Sequence, residues 1–510
     1  MTDSSAPTLP RPAALHRNDV PADLGATTVR KPPNRFLPAV VPGVLMLAAG
    51  LVQAGRPALS WDEVTSAEVA QRSVGQIVAM AQNIDAVFGF YYVFLHFWQD
   101  LAGTSEVALR LPSIVAMAGA VAVAAELGRR LFTPLVGLVT GLILCLVPNT
   151  SRYAAEVRPY AFACFFAVLA LLLLLGAVRR GGPYRWVAYG LSVLLLGLSH
   201  LVALTTLVAH AVLVGVLLRH RRRGRRRTVL TWAGAVAAAL VPLLPIAWLG
   251  TRQDDTQLHW VEPITLARIR AMPAELFGSR EFAWLLLGLV LLAAWRPMRR
   301  LAPVAALAFG PLLVLAVVSA LLSPMWVARY LLVVLAPLAM LAAVALAGPA
   351  ARPSRTGTIR IAAVLLALAV VALPAHREVR EPAAKNGPDY RSAARIVGDH
   401  QQPGDVVVYP PRNRAIRAGM DYYLNRLPQR PADPTVRVPS AETGRLVADE
   451  YTDDPQRLAG ARRIWIVVGD RRADPVTARK TIRPLLAAGW ERAGFWQVKR
   501  ATVALYERRG

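Results

Sequence analysis

Long apolar stretches alternate with short, mostly basic breaks over most of this chain. A helix that crosses the hydrocarbon layer needs about 20 consecutive apolar residues. By that measure the pattern predicts eleven spans, near 36–54, 106–127, 133–148, 159–178, 186–199, 200–218, 228–249, 282–295, 301–321, 331–349 and 360–374. The stretch 186–218 is read as two short helices that meet at Ser199 and His200. Basic clusters fall on alternate ends: Arg129 with Arg130, Arg179 with Arg180 and Arg185, the run Arg219 to Arg227, Arg296 with Arg299 and Arg300, and Arg352 with Arg355 and Arg360. With the amino terminus inside, eleven spans put all of these clusters in the cytoplasm, as the positive-inside rule requires. Residues 55–105, 149–158, 250–281, 322–330 and everything after about 376 then face the other side.

The period changes in two of those outer segments. Val64, Ala67, Val74, Ile77, Val78 and Ala81 recur at helical spacing, with Glu68, Gln71, Arg72 and Gln76 opposite. This predicts one amphipathic helix lying in the membrane interface. Phe88 to Trp98 is aromatic-rich and suits the headgroup level or a partly inserted helix. Beyond residue 380 the chain turns polar, with strand-like runs at 405–409 and 463–468 and helical patterns at Tyr390–Asp399 and Pro475–Ala488. The fold class expected is a polytopic α-helical membrane protein with a C-terminal extracytoplasmic α/β domain. Its parts are a disordered cytoplasmic tail (1–35), a transmembrane domain (36–375) with a long outer loop (55–105), and a soluble α/β domain (376–510). The first span is read as an uncleaved anchor.

Composition supports this picture. Of 510 residues, 55% are hydrophobic and only 18% charged, which is too apolar for an ordinary soluble protein. The net charge of +26 would suit nucleic acid, but much of it sits in the short loops between spans, so the lipid bilayer is the expected partner and no nucleic acid is. Cys145 and Cys164 lie inside apolar runs without metal-site spacing. No P-loop, GxGxxG or HExxH motif stands in a supporting context, so ATP-driven transport lacks a signature.

Candidate chemistry gathers in the outer segments. Ser60-Trp61-Asp62-Glu63 follows the first span. Two readings of it are open. In one, Ser60 and Glu63 form a capping box and Asp62 complements the helix dipole. In the other, Asp62 is a general base with Glu63 in support. Arg152 and Arg158, with Glu156 between them and Tyr160 after, either neutralise a phosphate or form an interfacial ion pair. Arg329, before Tyr330, opens an apolar helix, where a cation meets the positive dipole end; it either snorkels or awaits an anion. His200 is either packed at a helix junction or part of the same site. Asp254, Asp255, His259 and Glu262 match no strong ligand spacing, so a divalent metal stays open beside a substrate-contact loop.

With these residues in order, the chain resembles the GT-C superfamily of membrane glycosyltransferases. The likeness is to the polyprenyl-phosphate-mannose-dependent branch related to protein O-mannosyltransferases and aminoarabinose transferases, in its actinobacterial form. Trp61-Asp62-Glu63 carries it first. Asp85 to Trp98 follows, with Tyr91, Tyr92 and His96, then Ser105 to Ser113 with Arg110. The stretch Arg152 to Tyr160 and the pair Arg329-Tyr330 complete it, with Asp389-Tyr390-Arg391 and Pro403-Gly404-Asp405 in the soluble part. Many relatives carry His-Pro-Pro before the paired tyrosines; this chain has Val87-Phe88-Gly89. The resemblance implies transfer of a sugar, mannose by default, from a polyprenyl-phosphate donor to a hydroxyl of a protein, glycolipid or polysaccharide acceptor, with inversion. It implies Asp62 as base, Arg158, Arg329, Arg152 and His200 at the donor phosphate, and Asp85, Tyr91, Tyr92, Glu156, Tyr160 and Tyr330 around the substrate. A transporter or flippase of lipid-linked sugar is the competing class, and it would put polar groups at the middle of spans.

Overall fold

A computed structural model describes residues 36–220, 223–294, 298–348 and 354–509. The expected tail 1–35 and parts of three basic loops (221–222, 295–297 and 349–353) lie outside the described residues.

In chain order the helices begin with α1 (Leu37–Leu51), α2 (Trp61–Ala70), α3 (Val74–Asn83), α4 (Gly89–Ala102), α5 (Glu106–Leu131), α6 (Pro134–Leu146), α7 (Pro148–Ala154), α8 (Tyr160–Arg180) and α9 (Pro183–Ser199). They continue with α10 (Leu207–Leu218), α11 (Arg225–Leu240), α12 (Leu244–Arg252), α13 (Asp254–Leu258), α14 (Leu266–Phe277), α15 (Arg280–Ala293), α16 (Met298–Leu321), α17 (Leu335–Ala347) and α18 (Arg355–Glu378). Each of the eleven expected spans falls on one of these helices or, for 228–249, on α11 and α12 together, which form one continuous span. Among the described residues, seven helices are long and apolar enough to cross a membrane, or up to nine if two bent pairs each count as one span. The bent pairs are α6 with α7, at 71°, and α14 with α15, at 96°. The other two expected spans are the shorter helices α1 and α9, of 15 and 17 residues. This is a multi-span membrane protein. The sharp turn before α15 rests on Gly278, at φ +80, where a Cβ would come within 2.7 Å of the Asn149 side chain. Only glycine combines that backbone sign with that approach.

The single interfacial helix expected over 64–81 is two helices. Ser60 accepts from the Glu63 amide while Glu63 caps the Ser60 amide, and the same reciprocal pairing recurs at Ser73 and Gln76. A second capping box starts a second helix, so the chain breaks at 71–73. Val64, Ala67 and Ile77 are buried, whereas Val74 and Val78 are exposed.

The C-terminal part holds α19 (Tyr390–His400), β1 (Val406–Val408), α20 (Arg414–Leu424), β2 (Val436–Val438), β3 (Asp449–Glu450), α21 (Asp454–Leu458), β4 (Arg463–Val468), α22 (Arg483–Ala487), β5 (Trp490–Val498) and β6 (Ala501–Arg508). A four-stranded sheet runs in the order β1-β4-β6-β5, parallel between β1 and β4 and antiparallel elsewhere. The helix expected over 475–488 is two 3₁₀ turns followed by the five-residue α22. β4 is apolar on both faces because it lies inside the sheet. Ile464 and Ile466 face a small core with Leu458 and Ile482. Trp465 and Val467 face the other way, into a core shared with Tyr390, Ile416 and Met420 and also with Val64, Ile77 and Tyr92 of α2, α3 and α4. Each large apolar side chain buried there contributes roughly 1.5–3 kcal/mol. The helix that carries Asp62 therefore packs on the C-terminal part, chiefly through α20.

Candidate active site

Asp62 sits in the first turn of α2, and three separate contacts fix that turn. The Ala58 amide donates to the Pro382 carbonyl (2.8 Å) and the Trp61 amide to the Asn386 carbonyl (3.3 Å), while the Leu59 amide donates to the Tyr423 hydroxyl (3.0 Å). Glu63 does not face the same way as Asp62. It is fully buried, and its carboxylate takes a two-point grip from Arg110 (3.0 and 3.1 Å), an ion pair from Lys385 (2.9 Å), and the Ser60 amide (2.9 Å). It also accepts from the Val157 amide (3.2 Å). Arg110 spends its remaining donors on the carbonyls of Ala54, Pro57 and Ala58. Burial pushes the Glu63 carboxyl upward, but Arg110 and then Lys385 outweigh it and hold the group down at about 2. Glu63 is thus a scaffold: it caps the start of α2 and pins the residue before Arg158.

Arg158 follows in the coil between α7 and α8. It donates to Asp62 Oδ1 (2.9 Å), and its other terminal nitrogen donates to the Tyr92 hydroxyl (3.1 Å). Tyr92 in turn donates to Asp85 (2.8 Å), which also accepts from Gln257 (3.2 Å). The Arg158 guanidinium lies over the Phe88 ring at 4.5 Å. Arg329, from the 3₁₀ turn that precedes α17, reaches Asp62 Oδ2 at 3.4 Å and stacks on Trp260 at 4.6 Å. A carboxylate thus stands between two guanidinium groups that come from positions 158 and 329. Burial raises the Asp62 carboxyl, but Arg158 and next Arg329 pull harder, and it ends below its ordinary value. The Arg158 and Arg329 Nε–H groups are buried and lack a partner among the described residues. Two charged donors left over beside one carboxylate are capacity for a further anion.

These groups open into a cavity of about 590 Å³. Of the expected site residues, Asp62, Asp85, Arg158, Tyr160, His200, Arg329 and Tyr330 line it. His200 stands between the rings of Tyr160 and Tyr330, at 5.7 and 5.0 Å. The other expected residues do not line it. Tyr92 is one layer behind, between Asp85 and Arg158. Tyr91 packs its ring against Phe94 and Phe162. Glu156 pairs with Lys385 (3.1 Å) and accepts from Ser60 (3.4 Å). Arg152 lines a different, smaller cavity. Among the wall residues that the sequence did not single out are Gln257, Trp260 and Arg414. Arg414 begins α20, and its charge adds to the downward pull on Asp62. Its position gives no signal in the sequence, because only the packing of α20 on α2 brings it to the cavity.

The fit for a divalent cation is poor. Among the described residues no three His, Cys, Asp or Glu side chains converge. Asp254 is taken by Ser323 (3.0 Å) and Glu262 by Arg268.

The fold is shared with a solved membrane protein. It is similar over 91% of its length to ArnT from Cupriavidus metallidurans bound to undecaprenyl phosphate, with a TM-score of 0.57, 15% identity and 97% of that chain covered. The apo form of the same protein matches equally. The Archaeoglobus fulgidus oligosaccharyltransferase matches with a TM-score of 0.48 and 12% identity, over 84% of this chain and 69% of that one. A family model described as dolichyl-phosphate-mannose-protein mannosyltransferase matches residues 89–248. No curated protein sequence matches significantly. At the level of the fold, the resemblance drawn from the sequence holds.

Proposed function

We propose that this protein is an inverting glycosyltransferase that moves a sugar from a polyprenyl-phosphate donor to an acceptor hydroxyl on the outer face of the membrane. The observation that carries the reading is the Arg158–Asp62–Arg329 array at one end of a large cavity. The ArnT structure, with undecaprenyl phosphate bound to the same fold, supports the donor class. The family match supports mannose as the sugar.

The resting array explains how one carboxylate can be both quiet and basic. While both arginines hold Asp62, it is a poor proton acceptor. A donor phosphate entering the cavity competes for the same guanidinium groups. As they turn to the phosphate, Asp62 loses its strongest stabilisation and becomes a better base. The acceptor oxygen then attacks the anomeric carbon opposite the phosphate, and its proton passes to Asp62. The bond between that carbon and the phosphate oxygen breaks, and the electron pair leaves with the polyprenyl phosphate. Arg158 and Arg329 take up the charge of the leaving group. Tyr92 and Asp85 hold Arg158 from behind, so they position rather than touch. The basic ends of the spans support an outward-facing cavity.

The test is transfer by the purified full-length protein from a panel of radiolabelled polyprenyl-phosphate sugars to cell-envelope acceptors. Product is expected from the wild type, with transfer slowed about 10²-fold or more in Asp62→Asn and strongly reduced in Arg329→Gln. Movement of the lipid-linked sugar across vesicles without any product would replace this reading with a flippase.

A further inference from the structure

A second cavity, of about 130 Å³, lies away from the Asp62 array, among the ends of α1, α7 and α18 and the linker that follows α18. That is well above the roughly 10–15 Å³ a single water needs. Arg152, Arg380 and Lys385 line it, against one carboxylate, Glu378. Lys385 is compensated by Glu63 and Glu156 (2.9 and 3.1 Å). Among the described residues the two guanidinium groups are not. Arg380 donates to the carbonyls of His376 and Ala49. Arg152 lies over the Tyr153 ring at 5.6 Å and has no carboxylate at ion-pair distance among the described residues. Ser151, only 4% exposed, also lines the cavity, and its hydroxyl is buried without a partner among the described residues. A buried hydroxyl with nothing to bond, beside two cations that face one exposed acid, is a site whose counter-ion is missing from the protein itself.

We infer that this cavity binds a phosphate oxyanion, held by Arg152 and Arg380 with Ser151 donating. It is a second anion site, separate from the Asp62 array, and it does not rest on the transfer reading. The surroundings fit a lipid headgroup, because Leu51 and Leu373 expose apolar side chains on α1 and α18, and Val52 does so just past α1. A free phosphate offers the same chemistry.

The test titrates the purified full-length protein, in neutral detergent at constant ionic strength, with inorganic phosphate and separately with dihexanoyl phosphatidic acid. Arg329→Gln serves as the background that weakens binding in the Asp62 cavity. In that background Arg152→Gln should weaken the remaining affinity at least tenfold and Ser151→Ala several-fold, with Arg152→Lys in between. Tighter binding of the lipid than of the ion assigns the site to a headgroup; the reverse assigns it to free phosphate. Unchanged affinity in Arg152→Gln with an unchanged melt overturns the inference. If Arg152→Gln does not fold, unchanged affinity in Ser151→Ala overturns it instead.

Discussion

Replacing Asp62 with asparagine should separate donor binding from transfer. The two charge-assisted contacts to Asp62, at 2.9 and 3.4 Å, are each of a type worth about 1.5–3 kcal/mol. A phosphate that recruits the arginines must displace at least part of that. Asparagine keeps the shape and one acceptor oxygen but drops the charge, so the arginines are freer to meet the donor. Relief of about 1.4 kcal/mol corresponds to tenfold tighter binding of polyprenyl phosphate. Loss of the base should slow transfer about 10²–10⁴-fold. The assay measures affinity by calorimetry and turnover by radiolabel on one preparation, since the side chain is still about 21% exposed and the fold should tolerate the change. Turnover that persists at the wild-type rate would refute the role of Asp62. Donor affinity that falls in step with turnover would refute the competition between carboxylate and phosphate.

Arg110→Met should destabilise the protein by about 3–5 kcal/mol, read as a lower melting temperature, because it leaves Glu63 buried beside three unpaired carbonyls. The Glu63 carboxyl is held down at about 2 in the folded state against 4.5 ordinarily, so its stabilisation is complete above pH 4.5 and lost as pH falls toward 2. Melting temperatures measured from pH 7 downward should stay level and then drop across that window, with a smaller drop in Glu63→Gln. Gly278→Ala should cost about 1 kcal/mol or more, since alanine meets both the positive φ and Asn149; an unchanged melt would refute the strain. Arg414→Gln should weaken donor binding less than Arg329→Gln in the same titration, because Arg414 is exposed at the cavity wall.

The spans were legible because apolar length needs only local counting. The capping box at Ser60 was legible for the same reason, and the identical signal at Ser73 and Gln76 marked the break that periodicity alone smoothed over. What the sequence hid was partnership at a distance. Arg110 reads as one charge inside an apolar helix, and nothing near it announces Glu63, 47 positions away. Lys385 and Arg414 come from segments whose own patterns describe a linker and a soluble helix. Tyr91 and Tyr92 are adjacent and look equivalent, yet helical rotation sends one into an aromatic cluster and the other to Arg158. The β5–β6 hairpin leaves little trace in the sequence because β5 is largely exposed, so Glu491, Arg492 and Gly494 interrupt its apolar alternation.

The contacts of Pro382, Asn386 and Tyr423 with the start of α2 bear on how the chain can be cut. A version ending after α18 would keep every cavity-lining residue except Arg414. It would nevertheless lose the strut beneath the turn that aims Asp62 and lay bare the apolar side of α2. Such a truncation would be silent as a catalyst for want of a foundation, with almost all of its reactive groups still aboard.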